Sequence, residues 1–78
     1  MKPVTIYTTP VCGYCKIAKE FFKDHNVAYK EVDVIEDAQA RERMIETSGQ
    51  MGVPVIDIGG EIVIGFDLSR IKELLGIS

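Results

Sequence analysis

The sequence predicts a small α/β domain with a four-stranded mixed sheet flanked by three helices, and three observations carry that expectation. Apolar, β-branched runs alternate with stretches of helical periodicity in the order strand-helix-strand-helix-strand-strand-helix, βαβαββα. The last two strand-like runs, Val55–Ile58 and Glu61–Ile64, are separated only by Gly59-Gly60, the pattern of a tight antiparallel hairpin. The first half can close a right-handed parallel βαβ unit, so the hairpin completes a sheet of mixed direction. At 78 residues the chain reads as a single domain over 1–78. Its 46% hydrophobic content is enough for a packed core and argues against disorder.

Each element has its own signal. Val4–Thr8 is near-continuously apolar or β-branched, as expected of a strand buried on both faces. In Gly13–Asp24, Ile17, Ala18, Phe21 and Phe22 recur at helical spacing, and the helix should end near His25-Asn26. Residues 27–34 alternate less cleanly but carry Tyr29, Val32 and Val34 and read as the second strand. A strongly charged, exposed helix follows over 37–47, with Met44 and Ile45 inward and Gly49 as its stop. After the hairpin, Asp67 is a good N-cap for a final helix with Leu68, Ile71, Leu74 and Leu75 on one face. This order fits a minimal thioredoxin-like domain.

The only two cysteines, Cys12 and Cys15, lie between the first strand and first helix in Thr9-Pro10-Val11-Cys12-Gly13-Tyr14-Cys15-Lys16. Residues three apart share a helix face, so the two sulfurs can meet once the first turn forms. That turn has backbone N–H groups without intrahelical partners and the positive end of the helix dipole, and both favour a thiolate. Such settings lower a cysteine from about 8.5 to roughly 3.5–7.5. Lys16 and Lys19 add positive charge nearby. Cys12 therefore reads as the attacking thiolate and Cys15 as the resolving thiol.

The net charge of −3 is spread along the chain, and no basic stripe or zinc-finger spacing argues for nucleic acid. No apolar run approaches the ~18 residues of a membrane span, and Met1-Lys2-Pro3 leads into a strand rather than a signal peptide. The expectation is a cytoplasmic protein with neither a membrane nor a nucleic-acid partner. Structural disulfides are rare there, so a lone C-x-x-C points to redox chemistry or metal binding. A closed zinc site needs four ligands, and His25 sits about 18 Å away along a helix of roughly 12 residues, so no monomeric metal site is expected. Asp57, just before the hairpin turn, is expected to face the turn or solvent rather than shuttle protons.

Three segments together resemble the glutaredoxin family of the thioredoxin superfamily. Cys12-Gly13-Tyr14-Cys15 is similar to the family's Cys-Pro-Tyr-Cys site, and Ser48-Gly49-Gln50-Met51-Gly52-Val53-Pro54 to its Ser-Gly-Gln-x-Thr-Val-Pro segment. Ile64-Gly65-Phe66-Asp67 stands where the family carries Gly-Gly-x-Asp. The resemblance spans essentially the whole chain. It implies a glutaredoxin-type thiol-disulfide oxidoreductase that reduces protein disulfides or glutathione mixed disulfides through Cys12 and Cys15, with no bound cofactor. Glutathione is the implied reducing cosubstrate. The resemblance also implies a cis Val53-Pro54 bond, with the Val53 backbone pairing with the substrate cysteine. Gly65 and Asp67 would hold the γ-glutamyl end of glutathione, Gln50 would face its glycine carboxylate, and Tyr14 would shape the groove.

The departures from the family pattern bear on the donor. Thr9 stands where many members have a lysine, and Met51 where an arginine often follows the glutamine. Two charge contacts to glutathione are therefore absent. Gly65-Phe66 also resembles the small redoxins that serve ribonucleotide reductase and are reduced by thioredoxin reductase. Either donor is compatible with the residues. Gly13 replaces the usual proline, and in some members a small residue there accompanies a glutathione-ligated iron–sulfur cluster shared by two subunits. That alternative stays open at this stage.

Overall fold

The computed structural model describes residues 2–77. The elements are β1 (Val4–Thr8), α1 (Gly13–Asp24), β2 (Lys30–Asp33), α2 (Ala38–Ser48), β3 (Val55–Ile58), β4 (Glu61–Ile64) and α3 (Leu68–Leu75). They form one sheet in the order β2-β1-β3-β4. β1 pairs with β2 in parallel and with β3 antiparallel, and β3 pairs antiparallel with β4. This is the expected thioredoxin-like βαβαββα arrangement, with β1 at the centre.

Side chains alternate across the pleat, so the sheet divides its apolar residues between two cores. On one face Val4, Ile6, Ile56, Ile58 and Val63 pack with Ala18 and Phe22 of α1 and Ile71 of α3. On the other, Tyr7 and Val55 pack with Val34 and with Ala40 and Met44 of α2. Parallel strands need a crossover between them, and α1 supplies it from β1 to β2.

Helix ends follow the side-chain chemistry. Asp37 caps α2, its Oδ1 accepting from the Ala40 N–H at 3.0 Å, and Gly49 closes the helix in the left-handed region at φ 74°. Asp37→Ala should cost about 1 kcal/mol. In a chain this short that lowers the melting temperature by about 4–8 °C, measurable by thermal circular dichroism. In the hairpin, Gly59 and Gly60 take φ of 59° and 95°, as a turn with two left-handed central residues requires. Asp57 Oδ1 accepts from the Gly60 N–H at 2.8 Å, so this carboxylate braces the turn.

Three local expectations need correction. The second strand is shorter than 27–34. Asn26 adopts a positive φ of 56°, the Asn26 N–H bonds the Lys23 carbonyl, and the Val27 N–H returns to the Phe22 carbonyl at 2.8 Å. These are the two bonds of a Schellman stop, so Val27 belongs to the end of α1 and packs with Phe22 in the core. Ile17 is 49% exposed, because the buried face of α1 runs through Cys15, Ala18, Phe21 and Phe22 and two residues past Cys15 is about 200° around the helix. Leu68, at the first turn of α3, also points outward, while Ile71 is buried and Leu74 and Leu75 pack against the core.

Candidate functional site

The sheet register brings three loops to one edge. Tyr7 pairs with Val55, and Val55 pairs with Ile64. The chain leaving β1 at Thr8, entering β3 at Val55 and leaving β4 at Ile64 therefore does so at the same end of the sheet. Thr9–Cys12, Val53-Pro54 and Gly65–Asp67 meet there.

Cys12 is the N-cap of α1, in extended backbone conformation. It is joined to Cys15 by a disulfide with the Cα atoms 5.3 Å apart. The backbone N–H of Cys15 donates to Cys12 Sγ at 3.1 Å, so one of the orphan donors of the first turn points at this sulfur. The two cysteines differ in access. Cys15 is 1% exposed and sits within the core, whereas Cys12 is only partly buried at its edge. Tyr14 is exposed beside them.

The Ser48–Pro54 segment is folded by its own hydroxyl. Ser48 Oγ donates to the Met44 carbonyl at 2.6 Å and accepts from the Gln50 N–H at 3.3 Å. Gln50 is half-buried, its side-chain amide lying against Gly52. The Val53-Pro54 bond is cis. The Gly65 N–H donates to the Pro54 carbonyl at 2.9 Å, which ties the second loop to the third. Val53 and Phe66 pack against the same core cluster as Cys12 and Cys15. Asp67 caps α3 by accepting from the Arg70 N–H at 3.3 Å and is otherwise exposed.

Thus Cys12, Cys15, Tyr14, Gln50, Val53, Pro54, Gly65 and Asp67 belong to the loops and helix starts of one end of the molecule. His25 does not. It terminates α1 at the opposite end, stacked on Phe21 with Nδ1 3.0 Å from the Phe21 carbonyl oxygen. Asp57 is also remote, since it pairs with Thr5 toward the far end of β1. Among the described residues no group of three or more His, Cys, Asp or Glu side chains could hold a metal ion. No helix among them is long and apolar enough to cross a membrane.

One feature of the site was not legible as such in the chain. A groove of about 430 Å³ opens at Cys12 between α1 and β2, and Thr9, Lys16, Lys19, Glu31 and Asp33 line it. The signal lies in the spacing: Lys16 and Lys19 share a helix face, and Glu31 and Asp33 share a strand face.

A family model described as glutaredoxin matches residues 4–63. A glutaredoxin-like 8.6 kDa protein of the rubredoxin operon of Clostridium pasteurianum is 43% identical over 72 residues, covering 92% of this chain and 96% of its own. Glutaredoxin 3 of Escherichia coli (strain K12) is 37% identical over 67 residues, covering 86% of this chain and 81% of its own. Among solved structures, the thioredoxin-like protein BC3987 is 42% identical with a TM-score of 0.85, covering 91% of this chain and 97% of that one. The glutaredoxin grx-1 of Archaeoglobus fulgidus is 29% identical with a TM-score of 0.84, covering 96% and 87%.

Proposed function

We propose a function from one premise: the chain belongs to the glutaredoxin family. It is a thiol-disulfide oxidoreductase acting on protein disulfides and glutathione mixed disulfides. The observation that carries this reading is the unequal exposure of two bonded cysteines at a helix start, with a backbone N–H aimed at the outer sulfur. In the reduced protein the Cys12 thiolate attacks one sulfur of the substrate disulfide, forming a mixed disulfide and expelling the other sulfur as a thiolate. Cys15 then attacks Cys12, which releases the second substrate thiol and leaves the internal disulfide. Two electrons pass from the dithiol to the substrate. Glutathione or a thioredoxin reductase restores the dithiol in the cytoplasm, and the cycle requires no bound metal or organic cofactor.

Substrate recognition in this reading uses the other two loops. The Val53 backbone pairs strand-like with the cysteine backbone of the bound thiol, with Pro54 behind it. Gly65 and the start of α3 at Asp67 take the γ-glutamyl end of glutathione, Gln50 faces its glycine carboxylate, and Tyr14 bounds the groove. Val11, Tyr14 and Met51 form an exposed apolar rim around this end, which favours protein substrates over a small charged one.

Met51 is 71% exposed, so a charge at this position acts on the scale of a surface ion pair, about 0.2–1 kcal/mol. Met51→Arg should therefore lower KM for glutathione by up to about fivefold, more at low salt, with kcat little changed. Glutathione-coupled turnover at two ionic strengths measures this. Reduction of the oxidised protein by glutathione and by thioredoxin reductase, compared side by side, identifies the donor. Failure with both would remove the oxidoreductase reading.

A further inference from the structure

The groove between α1 and β2 shares Thr9, Pro10 and Cys12 with the first loop and no residue with the Val53-Pro54 and Gly65–Asp67 loops, and its walls are of opposite charge. Lys16 and Lys19 stand on the helix side, one and two turns below Cys12, and Glu31 and Asp33 stand on the strand side. The lower rung is closed: Lys19 Nζ is 2.7 Å from Glu31 Oε2. The upper rung, at the Cys12 end, is not. Asp33 is turned to its own chain, its Oδ1 accepting from the Ile35 N–H at 2.8 Å and the Glu36 N–H at 3.4 Å. Among the described residues the Lys16 ammonium has neither an ion-pair nor a hydrogen-bond partner.

We propose that this groove is a docking site for the protein segment flanking the substrate's reactive cysteine, and that Lys16 selects an acidic side chain there. The volume lies within the ~300–1,000 Å³ of ordinary ligand sites. The groove runs up to the attacking sulfur, so whatever fills it is held against the reacting bond. With Glu31 paired to Lys19 and Asp33 bonded to backbone amides, Lys16 is the cation of the groove left without a partner among the described residues. A carboxylate one or two residues from the substrate cysteine completes the open rung. This assignment rests on the thiol-disulfide exchange proposed above and adds to it a preference among substrates.

The test uses the full chain, reduced beforehand, in single turnover with short peptides dimerised through one cysteine. Three dimers are compared, with the cysteine flanked by Glu, by Gln or by Lys. In each reaction the protein dithiol becomes the Cys12–Cys15 disulfide and one peptide disulfide becomes two peptide thiols, counted after acid quench. The Glu peptide should react about two- to fivefold faster than the Lys peptide, the range of a partly exposed charge pair. The preference should shrink toward unity at 1 M salt. Lys16→Glu should invert it, and Asp33→Asn, which keeps an acceptor for the turn but drops the opposing charge, should enlarge it. Because the readout is a ratio between peptides, any effect of Lys16 on the reactivity of Cys12 cancels. Equal rates for all three peptides, or a ratio unmoved by Lys16→Glu and Asp33→Asn, would overturn the groove while leaving the oxidoreductase intact. No reduction of any peptide would remove both.

Discussion

Cys12→Ser should reduce turnover to the uncatalysed background, whereas Cys15→Ser should stall the protein as a mixed disulfide on Cys12. The contrast follows from access. Cys12 Sγ caps α1 at the edge of the core and receives the Cys15 N–H, so an incoming disulfide can reach it. A serine hydroxyl there keeps the cap but is no nucleophile toward sulfur at neutral pH, and the one thiol left, Cys15, is too deeply buried to replace it. Cys15 is sealed within the core. Its reach extends only to a partner already bonded at Cys12, which is the geometry of a resolving thiol. Intact mass of the Cys15→Ser protein after substrate addition should show the protein plus one substrate thiol, and peptide mapping should place the adduct on residue 12. An adduct on Cys15 in the reciprocal variant, with retained turnover, would reverse the roles.

Phe22→Ala should remove about 3–5 kcal/mol of folding stability, the usual cost of deleting a buried phenylalanine. Phe22 is 0% exposed and joins α1 to the core. Its ring lies 5.9 Å from Phe21 and 5.5 Å from Tyr29, and its carbonyl closes the helix stop at Val27. Stabilities scale at roughly 0.05–0.15 kcal/mol per residue, so a domain of this size loses about a quarter or more of its total. Because α1 carries Cys12 at its start, the loss reaches the chemistry as well as the fold. Urea titration reads the change in midpoint, and Ile17→Ala on the exposed face of the same helix should stay within about 0.5 kcal/mol of the parent.

The fold was legible where the local chemistry is strong. Gly59-Gly60 between two β-branched runs, Asp67 as a cap, and Gly49 as a stop each carry a signal within a few residues, and the structure bears them out. The end of α1 lies where expected, at His25-Asn26, but the start of β2 was harder. Asn26 takes the left-handed conformation of the stop, and the Val27 that follows it looks like the start of a strand until its N–H is traced to Phe22. Ile17 and Leu68 were misplaced because apolar residues at helix edges match the period on either side, and only packing decides between them.

At the site, the three loops could be recognised from their own residues, but their meeting could not be derived from spacing alone. It depends on the register Tyr7–Val55–Ile64, which is a property of the assembled sheet. The α1–β2 groove is less legible still. It combines residues 16 and 19 with 31 and 33, ordinary surface charges until β2 pairs in parallel beside β1.

The most direct measurement is a competition between the two thiols for a limiting amount of alkylating reagent. The fully reduced protein is exposed at neutral pH to less than one equivalent of iodoacetamide and mapped by mass. Modification should fall on Cys12 and spare Cys15 until the native fold is lost in denaturant. Labelling of Cys15 first, or of neither cysteine, would contradict an accessible, reactive sulfur at the start of α1.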